Sequence, residues 1–106
     1  MKVNYRIGNL ELRLNDVPLK ESFLHSPYSE IVQWSENAEK PHCWTIATFE
    51  YDKDGYPELH YCGSRPLQLN KEEHRIFKVL IEEGYNYRRN DNNEIVKGTE
   101  YENYED

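Results

Sequence analysis

Two histidines and two cysteines are the residues of this 106-residue chain whose chemistry suggests a metal site. His42 and Cys43 are adjacent, and one residue separates His60 from Cys62. Zinc in proteins takes four such imidazole and thiolate ligands at the corners of a tetrahedron. Neither pair has the Cys-x-x-Cys spacing of a zinc knuckle, and on a predicted hairpin His42 faces away from the other three. We therefore expect free, partly buried thiols and no metal or cofactor, with a metal-binding or enzymatic domain as the alternative.

Catalytic signatures are missing from the sequence. It contains no phosphate-binding loop, dinucleotide-binding glycine pattern, nucleophile elbow or His-Glu-x-x-His motif. Its twenty carboxylates are too many to single out a catalytic pair without geometry. We expect a protein that is not an enzyme.

The acidic charge is concentrated at one end of the chain. Residues 91–106 hold six carboxylates and one lysine, and so carry −5 of the net charge of −7. This balance disfavours direct binding to nucleic acid, which requires lysine or arginine. Carboxylates with aromatic anchors can instead imitate a phosphate backbone towards the basic surface of a host protein, although such charge blocks are usually solubilising tails. The predicted partner-binding residues are Glu94, Glu100, Tyr101, Glu102, Tyr104, Glu105 and Asp106.

A β-hairpin is predicted at the start of the chain. Apolar residues alternate with polar ones over 3–7 and 10–14, and Gly8-Asn9 between the two runs is typical of a two-residue turn. The resulting register pairs Ile7 with Leu10 and places the apolar side chains on one face, with Arg6 opposite Glu11 on the other.

A second hairpin is predicted to pair residues 43–51 with residues 57–63, after a short strand over 29–35. A loop of two or four residues around Asp52–Gly55 would turn Trp44, Ile46 and Thr48 towards the core. The opposite face, with Thr45, Phe49 and His60, would then be mixed.

A helix is predicted from Asn70, which has the residue type of an N-cap and has Glu73 as its capping-box partner three positions later. Gly84 is predicted to end the helix as the C′ residue. A third hairpin follows around residues 90–93. The tyrosines and arginines in 85–89 could stack on single-stranded nucleic acid, but the acidic residues that follow favour a solvated strand edge.

Together these elements predict an α+β fold in which a small antiparallel sheet of β-hairpins packs against one α-helix. We expect one domain over 1–98 and an acidic tail over 99–106. No apolar run approaches the roughly 20 residues of a membrane span, and no secretory signal follows Met1, so we expect a cytoplasmic protein without membrane contact. Exposed strand edges would allow a homodimer.

Three short segments carry a resemblance to known sequences: residues 30–34, residues 43–47 and Gly63-Ser64-Arg65-Pro66. They are similar to a pattern in small uncharacterised proteins of bacteriophages and mobile elements. The resemblance covers about a third of the chain and implies no site residue. It implies a protein that binds and blocks a host protein, including defence enzymes that handle nucleic acid.

Overall fold

The computed structural model describes residues 4–15, 28–35, 39–61, 68–92 and 94–98. These ranges contain strands β1 (Asn4–Ile7), β2 (Leu10–Asn15), β3 (Tyr28–Trp34), β4 (Cys43–Tyr51), β5 (Pro57–Tyr61), β6 (Tyr87–Arg89) and β7 (Ile95–Lys97), and helix α1 (Lys71–Gly84). Five antiparallel strands form one sheet in the order β1-β2-β3-β4-β5, and β6 and β7 form a second. The predicted α+β fold, a small sheet packed against one helix, is confirmed.

The core lies between α1 and one face of the larger sheet. We call this face the inner face and the opposite one the outer face. Phe77 and Leu80 are the buried apolar residues that α1 contributes, because their spacing places them on one side of the helix. The core residues are Leu10, Leu12, Leu14, Ile31, Ile46, Ala47, Phe49, Tyr51, Phe77, Leu80 and Tyr87.

The β1–β2 hairpin has the predicted turn and register. Gly8 has φ 61°, a value that costs glycine little and that primed two-residue turns require. Ile7 pairs with Leu10, and Arg6 stands opposite Glu11. Leu10 and Leu12 are fully buried, because the alternation directs them to the inner face.

The predicted facing of β4 is wrong beyond Ile46, whereas His60 of β5 lies on the outer face as predicted. Ala47, Phe49 and Tyr51 are the residues of β4 that face inward and are buried, whereas Trp44 is exposed and Thr48 lies on the outer face beside His60. Ile46 is buried as predicted.

Two irregularities account for the facing of β4 and β5. Tyr51 pairs with Pro57, so the loop has five residues instead of two or four, and an odd number changes which residues of β4 share a face with each residue of β5. Against β3, Ile31 pairs with Ala47 and Val32 with Thr45, which leaves Ile46 as the extra residue of a β-bulge. The bulge changes the alternation partway along β4.

A hydrogen-bonded network fixes the N-terminus of α1 on the sheet. The predicted capping box is present: the Asn70 side chain accepts from the Glu73 backbone N–H, and the Glu73 carboxylate accepts from the Asn70 backbone N–H. The other Glu73 oxygen accepts from the side-chain amides of Asn9 at 2.7 Å and Gln33 at 2.9 Å. These bonds, the one from the Asn70 backbone first, lower the pKa of Glu73.

Gly84 is not the C′ residue that the sequence predicted. It is the last residue of α1, and Tyr85 forms the C-cap with φ −69° in the right-handed region. A β-carbon at Gly84 would overlap the ring of the buried Phe49. Glycine is therefore needed here because the helix and the sheet approach each other closely.

The predicted third hairpin is present as β6 and β7, and hydrogen bonds fix it to the larger sheet. The Tyr87 and Tyr5 hydroxyl groups are 2.8 Å apart. Arg89 donates its backbone N–H to the Gly55 carbonyl in the β4–β5 loop. In the part of the chain that the structure describes, no helix is long and apolar enough to cross a membrane.

Candidate functional site

Glu94 is the one predicted partner-binding residue that the structure describes. It is exposed and closes the β6–β7 turn, because its backbone N–H donates to the Asn90 side-chain oxygen and its carbonyl accepts from the Asn90 N–H, each at 2.8 Å. The other six residues lie outside the described ranges: Glu100, Tyr101, Glu102, Tyr104, Glu105 and Asp106.

Among the described residues, the structure does not bring the cysteine and histidine on β4 and β5, Cys43 and His60, together into the alternative metal site. Cys43 begins β4 and pairs with Trp34, whereas His60 pairs with Thr48 further along the same strand. Thr48 lies five positions after Cys43, so the two residues are about 16 Å apart along the strand at the usual rise per residue. Cys62 lies outside the described residues, and among those described no group of three or more His, Cys, Asp or Glu could hold a metal ion.

Both arginines of the tyrosine–arginine segment bind backbone within the protein. Arg88 donates to the carbonyls of Tyr85 and Tyr87 and stacks 4.9 Å from the centroid of the Tyr56 ring. Arg89 donates to the carbonyls of Asp52 and Lys53. These contacts favour a structural role for the two guanidinium groups over stacking on nucleic acid.

Arg89 holds two acidic loops next to each other. Its backbone and side chain bind the β4–β5 loop, while the β6–β7 turn follows it directly in the chain. We call residues 50–58 and 90–94 the acidic end. Six carboxylates and one cation, Lys53, belong to it. The carboxylates are those of Glu50, Asp52, Asp54, Glu58, Asp91 and Glu94.

Two of these carboxylates are directly opposite each other. Glu50 of β4 pairs with Glu58 of β5 on the outer face, where their side chains are 47% and 61% exposed. The neighbouring cationic partner is His60, whose Nε2 lies 3.0 Å from Glu50 and 3.8 Å from Glu58. Because an imidazole is charged only when protonated, the pair lacks a permanent positive neighbour in these contacts.

A second cluster lies at the other side of the outer face. The guanidinium carbons of Arg6 and Arg13 are 4.8 and 5.4 Å from the centroid of the Trp34 ring, within the range of cation–π contacts. Glu11 beneath them is only 8% exposed and accepts from the Trp34 indole N–H at 3.0 Å and from Arg13 Nε at 3.1 Å. We call these four residues the arginine–tryptophan cluster.

The charges of this cluster are not equally paired. Burial alone would lower the pKa of Arg13, but its hydrogen bond to Glu11 and the nearby negative charges raise it. The Nη1 atom of Arg13 also lies 3.8 Å from the Oε1 atom of Glu30. Arg6 is exposed, and its one hydrogen bond within the described residues runs from Nε to the Gly8 carbonyl. The terminal nitrogens of Arg6 are therefore more available to bind an anion than those of Arg13, which lies near Glu11 and Glu30.

Comparison of the chain with known protein families, curated proteins and solved structures found no match. Neither outer-face feature was predicted from the sequence. The register predicted for the first hairpin placed Arg6 opposite Glu11, but Trp34 comes from a third strand whose register no local pattern specifies. The Glu50–Glu58 pair was missed because the loop was predicted to have an even number of residues.

Proposed function

We propose that this chain is a non-enzymatic protein-binding module whose partner carries a basic, nucleic-acid-binding surface. The acidic end occupies that surface in place of a nucleic acid, and so inhibits or regulates a host protein such as a defence enzyme. The observation that carries this proposal is the exposed Glu50–Glu58 pair within the acidic end.

Like charges placed directly opposite each other on an antiparallel pair are destabilising, by about 0.2–1 kcal/mol. Lysine or arginine side chains of a partner would remove this repulsion between Glu50 and Glu58. This relief of repulsion is realised only in the complex. In the free protein the neighbouring cationic group is His60, which carries a positive charge only when it is protonated. The arrangement therefore favours a cationic partner over the free state.

The loops that carry the remaining carboxylates are held in place before binding. The Asp52 carboxylate accepts from the backbone N–H groups of Asp54 and Tyr56, each at 2.9 Å, and Arg89 joins this loop to the β6–β7 turn. A surface fixed in advance loses less conformational entropy when it binds. This supports the acidic end as a recognition surface.

The test is capture of a partner and its release by nucleic acid. The full chain, fixed to a resin, is exposed to an extract of host cells, and captured protein is challenged with double-stranded DNA and then with RNA. We expect one of the two to release the partner, because it would compete for the same basic surface. Partner retained in excess of both nucleic acids would contradict the proposal.

A matched pair of variants locates the surface. Glu50→Gln with Glu58→Gln should reduce affinity for the captured partner by about tenfold, which corresponds to about 1.4 kcal/mol. Glu72→Gln with Glu82→Gln removes the same charge from the exposed side of α1 and should change affinity by less than about twofold. Equal losses in the two variants would mean that only net charge matters.

A further inference from the structure

Strand β1 is an outer strand of the five-stranded sheet, so one of its edges has no neighbouring strand among the described residues. In a hairpin with a two-residue turn the closing pair exchanges hydrogen bonds, which directs the Ile7 and Tyr5 backbones towards β2. The Asn9 carbonyl accepts from Trp34 on the opposite side of β2, in agreement with this alternation. The backbone N–H and C=O of Asn4 and Arg6 therefore point outwards from the sheet.

The side chain of Arg6 lies on the outer face of this outer strand, opposite Glu11 of β2. Stacking on Trp34 restrains its guanidinium, and the Glu11 carboxylate that fixes Trp34 is itself bound to Arg13. A restrained guanidinium loses less entropy when it binds a carboxylate, and its planar group of donors can bind both carboxylate oxygens. A charged residue such as Arg6 also protects an edge strand from uncontrolled pairing with other chains. That protection does not require a guanidinium that is stacked on Trp34.

We propose that the β1 edge binds an extended acidic peptide of another protein as a sixth strand. The peptide residue opposite Arg6 exchanges two backbone hydrogen bonds with it, and its carboxylate binds the Arg6 guanidinium on the outer face. This site is independent of the acidic end, whose Glu50 and Glu58 belong to β4 and β5 at the other side of the sheet.

The pleat of the sheet determines which peptides fit. Residues directly opposite each other point to the same face, so an acidic residue opposite Arg6 is flanked by residues that point to the inner face. There they meet Ile7, which is 42% exposed. The expected ligand alternates acidic and apolar residues.

The probe is a fluorescein-labelled ten-residue peptide of alternating valine and glutamate, titrated with the full chain and followed by fluorescence anisotropy. We expect saturable binding that Arg6→Ala weakens by about tenfold or more. Arg75→Ala, which removes an exposed arginine from α1, should change affinity by less than about twofold. No saturation up to about 1 mM of the full chain, or equal loss in the two variants, would overturn the proposal.

Backbone methylation tests the strand pairing itself. Methylating the glutamate nitrogens removes the donors that would face Arg6 and should abolish binding. Methylating the valine nitrogens removes donors that face away and should preserve it within about threefold. Equal binding of the two methylated peptides would overturn the edge-strand assignment. Displacement of the peptide by a single-stranded oligonucleotide, with the same dependence on Arg6, would overturn the choice of ligand.

Discussion

Glu73 joins the N-terminus of the helix to the sheet through hydrogen bonds. Its carboxylate accepts hydrogen bonds from the Asn70 backbone and from the side chains of Asn9 and Gln33. Gln33 in turn accepts from the indole N–H of Trp44 at 3.1 Å. An ionised carboxylate suits this position because it can only accept, and every group around it donates.

Replacement of Glu73 should therefore affect stability in a pH-dependent way. Glu73→Gln places an amide N–H against other donors and should lower the free energy of unfolding by about 1–3 kcal/mol at pH 7. The folded pKa of Glu73 lies below its usual value of 4.5, so its contribution is complete above 4.5 and is lost as the pH falls through the folded pKa. Urea unfolding at pH 7 and pH 3 should show a smaller difference between variant and parent at pH 3.

Glu72→Gln is the matched control, since Glu72 is the preceding residue, is exposed, and bonds to the exposed Arg75. It should change stability by less than about 0.5 kcal/mol at either pH. A Glu73→Gln effect that was equal at both pH values would contradict the pKa argument.

For Gly84, we expect alanine to change the free energy of unfolding in the opposite direction to that predicted by helix propensity. Alanine is normally favoured over glycine inside a helix by about 1 kcal/mol. Gly84→Ala should nevertheless lower the free energy of unfolding by about 2 kcal/mol, because the methyl group overlaps the Phe49 ring. Combining it with Phe49→Leu should cost less than the sum of the two single changes, measured by urea unfolding. Additive costs would show that the ring and the glycine are not coupled.

At the scale of elements, the helix cap offers the most direct test. Asn70→Ala removes the acceptor for the Glu73 backbone N–H and should cost about 1 kcal/mol by thermal or urea unfolding. Asn92→Ala, an exposed turn position, serves as the control and should change stability by less than about 0.5 kcal/mol. An equal effect of the two would show that the cap contributes little.

The elements differ in how far local sequence determines them. The first hairpin was predictable because Gly8-Asn9 and the alternating apolar residues specify the same register independently. The cap of α1 was predictable because Asn70 and Glu73 bond to each other within one turn. The facing of β4 was not, since nothing near Ile46 distinguishes a bulge from regular strand. A separate error, in the length of the β4–β5 loop, concealed the Glu50–Glu58 pair.

At the scale of the whole molecule, the predicted acidic tail and the acidic end can be tested separately. A chain ending at Gly98 retains the acidic end and lacks Tyr101 and Tyr104. If tail and acidic end both contact the partner captured above, truncation should weaken binding and reduce its salt dependence, because fewer opposite charges then steer the encounter. Affinity measured at low and at high salt checks this prediction. Unchanged affinity at both would mean that the tail only solubilises the chain.

The order of strands also bears on how the protein is made. Each strand of the larger sheet pairs with a neighbour in the chain, so β1 to β5 can assemble in the order in which a ribosome releases them, and such local pairing favours rapid folding. The helix that contributes Phe77 and Leu80 to the core follows β4 by some 20 residues and ends at Gly84. At about 5–20 residues per second, the interval from Tyr51 to Gly84 lasts roughly 2–7 s. During those seconds the nascent sheet exposes an apolar face, and we expect chaperones to bind it in that interval.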